Sequence, residues 1–149
     1  LLYGNNEGLI DETIQETLKP ILAKNIFNYE EADILKDVEN SLKYLSDNGT
    51  IVCHDCLPTT EDMQARDDHG REWTGDVWKA IAELRVETID LDIRVVDTDY
   101  GCGIIRRGTN IPYETKSNYK TYSHYSMNKW NMLNIISPEQ FIQWINTAL

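Results

Sequence analysis

The chain has 149 residues, of which 41 % are hydrophobic and 26 % are charged, and this is the size and composition of one globular domain. Its formal net charge of −11 at pH 7 repels phosphate backbones and anionic lipids, which argues against nucleic acid and membrane surfaces as partners. No apolar run approaches the roughly 20 residues of a membrane span, and the first residues do not resemble a signal peptide. We therefore expect a cytoplasmic protein.

The first predicted elements precede a strongly patterned segment. Asp11 is a plausible helix N-cap, and the helix that follows ends near Pro20. From Tyr29 onward, apolar residues recur at intervals of three and four and predict an amphipathic helix that ends at Gly49: Leu35, Val38, Leu42 and Leu45. Residues 50–53 then form a short, unalternating apolar run, which is typical of a buried parallel strand. We expect this strand to be central in its sheet.

The second half of the chain predicts two more helices and a strand pair. Thr74 can cap a helix that runs to about residue 85, and residues 91–96 and 102–106 are strands whose short connection requires antiparallel pairing. Residues 110–128 are polar and rich in tyrosine, which predicts a long loop. Ser137, Pro138 and Gln140 have the spacing of a capping box at the start of the last helix.

Two of the three cysteines form a C-x-x-C motif, Cys53 and Cys56. A redox or zinc site needs a second pair of ligands or a helix N-terminus beneath the first cysteine. Because Cys53 ends the apolar run, the motif favours a buried strand cysteine over a redox or zinc site.

Several of these segments resemble the late half of class I S-adenosylmethionine-dependent methyltransferases. In particular, they resemble a bacterial group in which a helix of the form LKDIENSL precedes a strand that ends in HDC-x-P. The corresponding stretches here are LKDVENSLKYL from residue 35, NGTIVCHDCLP from residue 48, EWTGDVWKA from residue 72, VDTDYGCGIIR from residue 96 and LNIISPEQF from residue 133. They occur in the same order as in that family and cover roughly residues 29–144.

The resemblance implies one α/β domain over residues 1–149, with a Rossmann-like, mostly parallel sheet that ends in an antiparallel C-terminal strand pair. In such a fold the cofactor loop would contain Gly4 and Gly8. The stretch between Gly8 and Tyr29 is too short for the second, third and fourth strands with their crossover helices. We therefore expect the domain to be incomplete on its N-terminal side, through omitted stretches or a shortened fold.

The resemblance also implies where chemistry takes place. Open α/β sheets bind ligands at the carboxyl ends of their strands, where His54 and Asp55 follow the predicted central strand. By position the pair replaces the carboxylate and amide that hold a divalent cation in metal-dependent members of the fold. His54 and Asp55 are therefore the candidate catalytic residues and the candidate metal ligands. In the alternative interpretation they only end the strand and organise the turn at Pro58.

Three further residues are candidates for the substrate cleft. Trp73, just before a predicted helix, can form one wall. Asp97 and Asp99 flank the turn between the paired strands and can complete a cation site or act as a base, although aspartate in a turn needs no function.

The expected function is S-adenosylmethionine-dependent methyl transfer to a small molecule or a glycan, with a divalent cation as a further candidate cofactor. The alternative is a methyltransferase-like module without catalysis, which binds a partner or forms a homodimer through an exposed sheet flank or the tyrosine-rich segment.

Overall fold

The computed structural model describes residues 31–65, 72–115 and 118–147. The predicted glycine loop at Gly4 and Gly8, the helix after Asp11 and the expected shortage of strands before Tyr29 lie outside the described residues.

Within the described residues the chain forms four helices, four strands and one 3-10 turn around a single mixed sheet. The sheet order is β1-β3-β2-β4, so β3 lies between β1 and β2 and pairs antiparallel with both, while β4 pairs parallel with β2. The elements in chain order are α1 (Glu31–Tyr44), β1 (Ile51–Cys53), a 3-10 helix (Glu61–Gln64), α2 (Val77–Glu87), β2 (Leu91–Val96), β3 (Cys102–Arg107), α3 (Tyr122–Met132), β4 (Ile135–Ile136) and α4 (Pro138–Thr147).

The prediction of an α/β fold is confirmed, but two expectations about the sheet are wrong for its described part. β1 is not a central parallel strand: it lies at one edge and pairs antiparallel with β3, with Val52 opposite Ile104. Of the three strand pairs only one is parallel, so the sheet is not mostly parallel. The sequence of a short apolar run does not reveal whether the strand pairs with one other strand or with two. Here Val52 is 52 % exposed, as its position in an edge strand allows.

The predicted antiparallel pairing of residues 91–96 with residues 102–106 is confirmed, with Ile93 opposite Ile105. The amphipathic helix before Gly49 is also confirmed as α1, whose Val38 is buried. At the start of α4 the capping box forms in both directions. The Ser137 amide donates to Gln140 Oε1 at 2.8 Å, and the Gln140 amide donates to Ser137 Oγ at 3.3 Å.

The prediction of a loop over residues 110–128 is wrong in its second half, because α3 begins at Tyr122. Thr121 caps this helix by accepting a hydrogen bond from the His124 amide. Tyrosine, serine, histidine and asparagine have modest helix propensity, but Tyr125 and Met132 are buried against the core. Tertiary packing therefore stabilises a helix that local propensity does not predict.

The main core lies between one face of the sheet and the helices α1, α2 and α3. Trp78 is fully buried there and packs against Tyr125 at a ring-centroid distance of 4.6 Å. A smaller cluster on the other face joins Val96, Ile104 and Ile136 to two aromatic residues of α4. None of the described helices has the length and apolar character that crossing a membrane requires.

Candidate functional site

The candidate site begins where β1 ends, at His54 and Asp55. Asp55 has a φ of 64°, in the left-handed region that aspartate tolerates better than most residues. The chain therefore turns at Asp55 instead of continuing as an extended strand, in which successive side chains point to opposite faces. Both His54 and Asp55 line one cavity, together with residues 51–53 of β1.

His54 is held between two carboxylates. Its Nδ1 lies 3.0 Å from Asp55 Oδ1, and its Nε2 lies 3.0 Å from Asp99 Oδ2. A carboxylate only accepts hydrogen bonds, so both ring nitrogens donate when His54 is the imidazolium ion. The hydrogen bond to Asp99 is the main cause that raises the pKa of His54, and Asp55 adds to it, while partial burial opposes both.

The turn between β2 and β3 carries Asp99 to this position. Three successive residues adopt positive φ: Asp99 at 43°, Tyr100 at 56° and Gly101 at 89°. The turn is bound to the segment after β1, since the Leu57 amide donates to the Tyr100 carbonyl at 2.6 Å and the Cys56 amide to the Gly101 carbonyl at 3.0 Å. Two segments far apart in sequence thus meet at His54.

Tyr125, a buried residue of α3, holds the segment after β1 through a hydrogen bond. The Tyr125 hydroxyl donates to the Pro58 carbonyl at 3.0 Å, and Tyr125 is 1 % exposed. Burial raises the pKa of Tyr125, which therefore stays a neutral hydrogen-bond donor. The backbone beyond His54 is consequently anchored both to the β2–β3 turn and to α3.

Beside His54 lies a cavity of about 410 Å³, within the size range of small-molecule sites. It is bounded by α1, by the edge strand β1 and by the segment before α2, and its lining includes neither lysine nor arginine among the residues that the structure describes. Its described lining is apolar except for a few polar groups, among which are three carboxylates: Asp37, Asp55 and Asp76.

Trp73 forms one wall of this cavity, and a rigid loop holds it there. The Trp73 indole donates to the Ala65 carbonyl, and the Met63 carbonyl accepts hydrogen bonds from the amides of Thr74 and Gly75 at 2.9 and 3.1 Å. Gly75 has a φ of 61°, and a Cβ there would lie 3.1 Å from the Trp73 ring. The glycine therefore permits both the turn and the close approach of the indole.

Asp76 is a site residue that sequence reasoning missed, although it belongs to the EWTGDVWKA stretch. It is 2 % exposed and precedes α2 as its N-cap, yet its carboxylate accepts no capping hydrogen bond. Its Oδ2 lies 3.5 Å from Lys79 Nζ, and its buried Oδ1 has no hydrogen-bond partner among the described residues. The sequence signal was an aspartate directly after a glycine at a helix start, which usually indicates only a cap.

The remaining predicted site residues are placed as follows. Asp99 contacts His54 but is not among the described residues that line the cavity. Asp97 is neither a described contact of His54 nor a described lining residue. Asp97 is exposed at the end of β2, where its amide donates to the Ile136 carbonyl at 2.9 Å. Of the two turn aspartates, only Asp99 therefore joins the site.

The candidate metal site lacks a third ligand among the described residues, where no group of three or more His, Cys, Asp or Glu side chains is arranged to hold a metal ion. In the imidazolium form, in which both ring nitrogens donate to carboxylates, His54 has no lone pair to offer to a cation. Metal binding by His54 and Asp55 stays a prediction, and the geometry favours proton chemistry over it.

Cys53 and Cys56 are free thiols. Burial raises the pKa of Cys53 to about 11 and raises that of Cys56 well above its usual range. Metal binding and thiol exchange both need the thiolate, which these raised pKa values disfavour, and only Cys56 of the two is fully buried.

No protein-family model matches this chain, and neither a curated protein nor a solved structure shows a significant match to it.

Proposed function

We propose that the chain acts as an S-adenosylmethionine-dependent methyltransferase on a hydroxyl group of a small molecule or a glycan. The observation that carries this proposal is the position of His54, held by two carboxylates at the cavity beside β1. The resemblance described above supplies the reaction class. The antiparallel pair of β2 and β3 agrees with the C-terminal strand pair that the resemblance implies.

The cofactor would supply an activated methyl group on a sulfonium centre, so the protein needs mainly to orient the acceptor and remove its proton. The acidic residues of the cavity and the Trp73 ring suit a positively charged donor nearby. Gly4 and Gly8 remain the predicted cofactor loop.

His54 can serve as the base once its Nε2 is free. Asp99 is 74 % exposed on its turn, whereas Asp55 is 33 % exposed, so Asp99 is the partner that a bound acceptor displaces. Loss of the imidazolium proton then leaves an Nδ1–H that donates to Asp55 and an Nε2 that faces the acceptor hydroxyl. With the cofactor bound, its sulfonium would supply the methyl group to the hydroxyl oxygen, and Nε2 would take up the hydroxyl proton.

Two measurements test this function. Calorimetric titration with S-adenosylhomocysteine should show binding to the wild-type chain. In a methyl-transfer assay with a panel of hydroxyl-bearing amines, sugars and phenols, Asp55→Asn should lower turnover about 100-fold, because it removes the group that orients the base. Asp47→Asn, a change of the same kind in the exposed turn after α1, should have no effect.

Two results would contradict the proposal. One is the absence of cofactor binding in a folded chain. The other is unchanged methyl transfer in Asp55→Asn together with a lowered melting temperature, which would make the pair at the end of β1 structural.

The alternative function is a non-catalytic module that forms a homodimer. The observation in its favour is the edge position of β1, which pairs only with β3 among the described strands, because unpaired strand edges are common sites of association. A chain that fails to bind S-adenosylhomocysteine and sediments as a dimer would support this alternative.

A further inference from the structure

We propose that the cavity beside β1 binds a hydroxyl-bearing primary amine, and that Asp76 is the residue that holds its ammonium group. This inference names the acceptor class of the proposed function and rests on that function for the reaction, although the binding step does not depend on methyl transfer.

The first support is the unsatisfied state of the Asp76 carboxylate. A buried carboxylate oxygen without a partner is costly, and such groups normally have a hydrogen bond or an ion pair. Asp76 is 2 % exposed and lines the cavity, and in the described part of the chain its Oδ1 has no hydrogen-bond partner. A ligand that donates to this oxygen would supply the missing contact.

The second support is that nearby groups of the chain do not neutralise Asp76 well. The N-cap position offers helix amides, but the side chain does not accept from them. Lys79 Nζ lies 3.5 Å from Oδ2, longer than the 2.7–2.9 Å typical of charged hydrogen bonds, and it also lies 5.8 Å from the centre of the Trp78 ring. One carboxylate oxygen therefore stays open to a second cation.

The third support is the sign of charge around the cavity. Asp37 and Asp55 line it together with Asp76, and within residues 31–65, 72–115 and 118–147 neither a lysine nor an arginine lines it. This arrangement favours a cationic ligand over a neutral one and disfavours an anion. The apolar side chains of the walls, such as Val38, Val52 and Val77, suit the hydrocarbon part of the molecule.

The geometry thus gives each end of the ligand a partner in the cavity. Its ammonium group pairs with Asp76 at the buried side of the cavity, and a hydroxyl group of the same molecule reaches the His54 side. The compounds of this class include amino alcohols and amino sugars.

A set of three size-matched phenols tests the proposal by ligand-observed NMR in the absence of cofactor. These are tyramine, its neutral analogue tyrosol, and the anion 4-hydroxyphenylacetate. Tyramine should bind about tenfold or more tightly than tyrosol, and the anion should bind least. Asp76→Asn should abolish the preference for tyramine, whereas Asp37→Asn, at an exposed residue of the same cavity, should retain most of it.

Asp76→Ser serves as the second variant, because serine is favourable at a helix N-cap position and removes the charge. Equal binding of tyramine and tyrosol to the wild type would overturn the proposal. So would an unchanged preference for tyramine in both Asp76 variants, provided that their melting shows a folded chain.

S-adenosylhomocysteine also carries an ammonium group that could pair with Asp76, so a separate competition experiment is needed. If it displaces tyramine and loses affinity in Asp76→Asn, then Asp76 holds the cofactor and the acceptor assignment is wrong. Tyramine binding that depends on Asp76 in a chain without methyl transfer would instead contradict the proposed function alone.

Discussion

Two clusters among the described residues share one arrangement, a basic side chain between two carboxylates. In the first, Lys120 contacts Glu31 at the start of α1 and Glu83 on α2. In the second, His54 lies between Asp55 and Asp99. Each cluster brings together residues that are distant in sequence, yet their chemistry differs.

The lysine cluster has the features of a structural clamp. Burial opposes the charge of Lys120, but hydrogen bonds to Glu31 and Glu83 raise its pKa, so it stays protonated throughout the physiological range. Lys120 also lies just before α3, and the cluster therefore ties three helices together.

The histidine cluster has the features of a titratable site. His54 is 49 % exposed beside a cavity, and its two carboxylate neighbours raise its pKa from the usual value of histidine near 6.5, which already lies close to physiological pH. The comparison shows that the type and location of the central cation separate a clamp from a candidate base, while the charge pattern alone does not.

The largest effect is expected from Gly101→Ala, which breaks the histidine cluster through the backbone. Gly101 has a φ of 89°, and a Cβ there would overlap the Leu57 side chain and lie 2.9 Å from the Leu57 amide nitrogen. We expect a loss of about 2–3 kcal/mol in the free energy of unfolding. Urea denaturation would measure it.

Since the β2–β3 turn must move to relieve this overlap, Asp99 should also separate from His54, and the raised pKa of His54 should fall. Thr98→Ala, in the same turn but without positive φ, is the control and should change neither property. An unchanged stability of Gly101→Ala would show that the turn adapts without cost and that its position does not define the site.

The next effect in size is expected from Lys120→Met, which breaks the lysine cluster. The variant leaves Glu31 and Glu83 near each other without their shared cation. The three side chains are between 20 % and 34 % exposed, so we expect a loss of about 1–2 kcal/mol, between the values for exposed and buried ion pairs.

Thermal melting of Lys120→Met and of Lys36→Met, at an exposed lysine on α1, provides the comparison. Methyl transfer per folded molecule should be the same in Lys120→Met and in the wild type. If Lys120→Met lost turnover without losing stability, the lysine cluster would have a functional role and not the structural role assigned to it.

The sequence predicted the elements whose signal is local. The spacing of apolar residues gave α1, and the side chains of Ser137 and Gln140 gave the start of α4, because each of these patterns depends on residues within a few positions of one another. Local sequence did not predict α3, whose stability comes from the burial of Tyr125 and Met132.

The candidate site was predicted only at its centre. The position of His54 and Asp55 after β1 followed from the apolar run before them. The contact between His54 and Asp99 spans 45 residues. It depends on three positive φ angles in the β2–β3 turn, and the sequence predicted the turn but not these angles. The burial of Asp76 likewise depends on how the segment before α2 packs against the cavity, and a single aspartate after a glycine does not reveal it.

The smallest and most specific effect is expected from Asp99→Asn. The hydrogen bond to Asp99 is the main cause of the raised pKa of His54, so an amide in place of this carboxylate should lower that pKa toward its usual value near 6.5. A titration of the His54 ring protons by NMR, with the signal identified by its absence in His54→Gln, measures the change.

The stability of the wild type and that of Asp99→Asn should depend differently on pH. Because the folded chain raises the pKa of His54, the stabilisation from its protonated form is fully present below the unfolded pKa of about 6.5 and is lost as pH rises through the folded pKa. The wild type should therefore lose stability relative to Asp99→Asn as pH rises across this interval, and the two curves should run parallel above it. Urea midpoints measured at intervals from pH 5 to pH 9 would show this, whereas parallel curves over the whole range would mean that Asp99 does not hold the His54 proton.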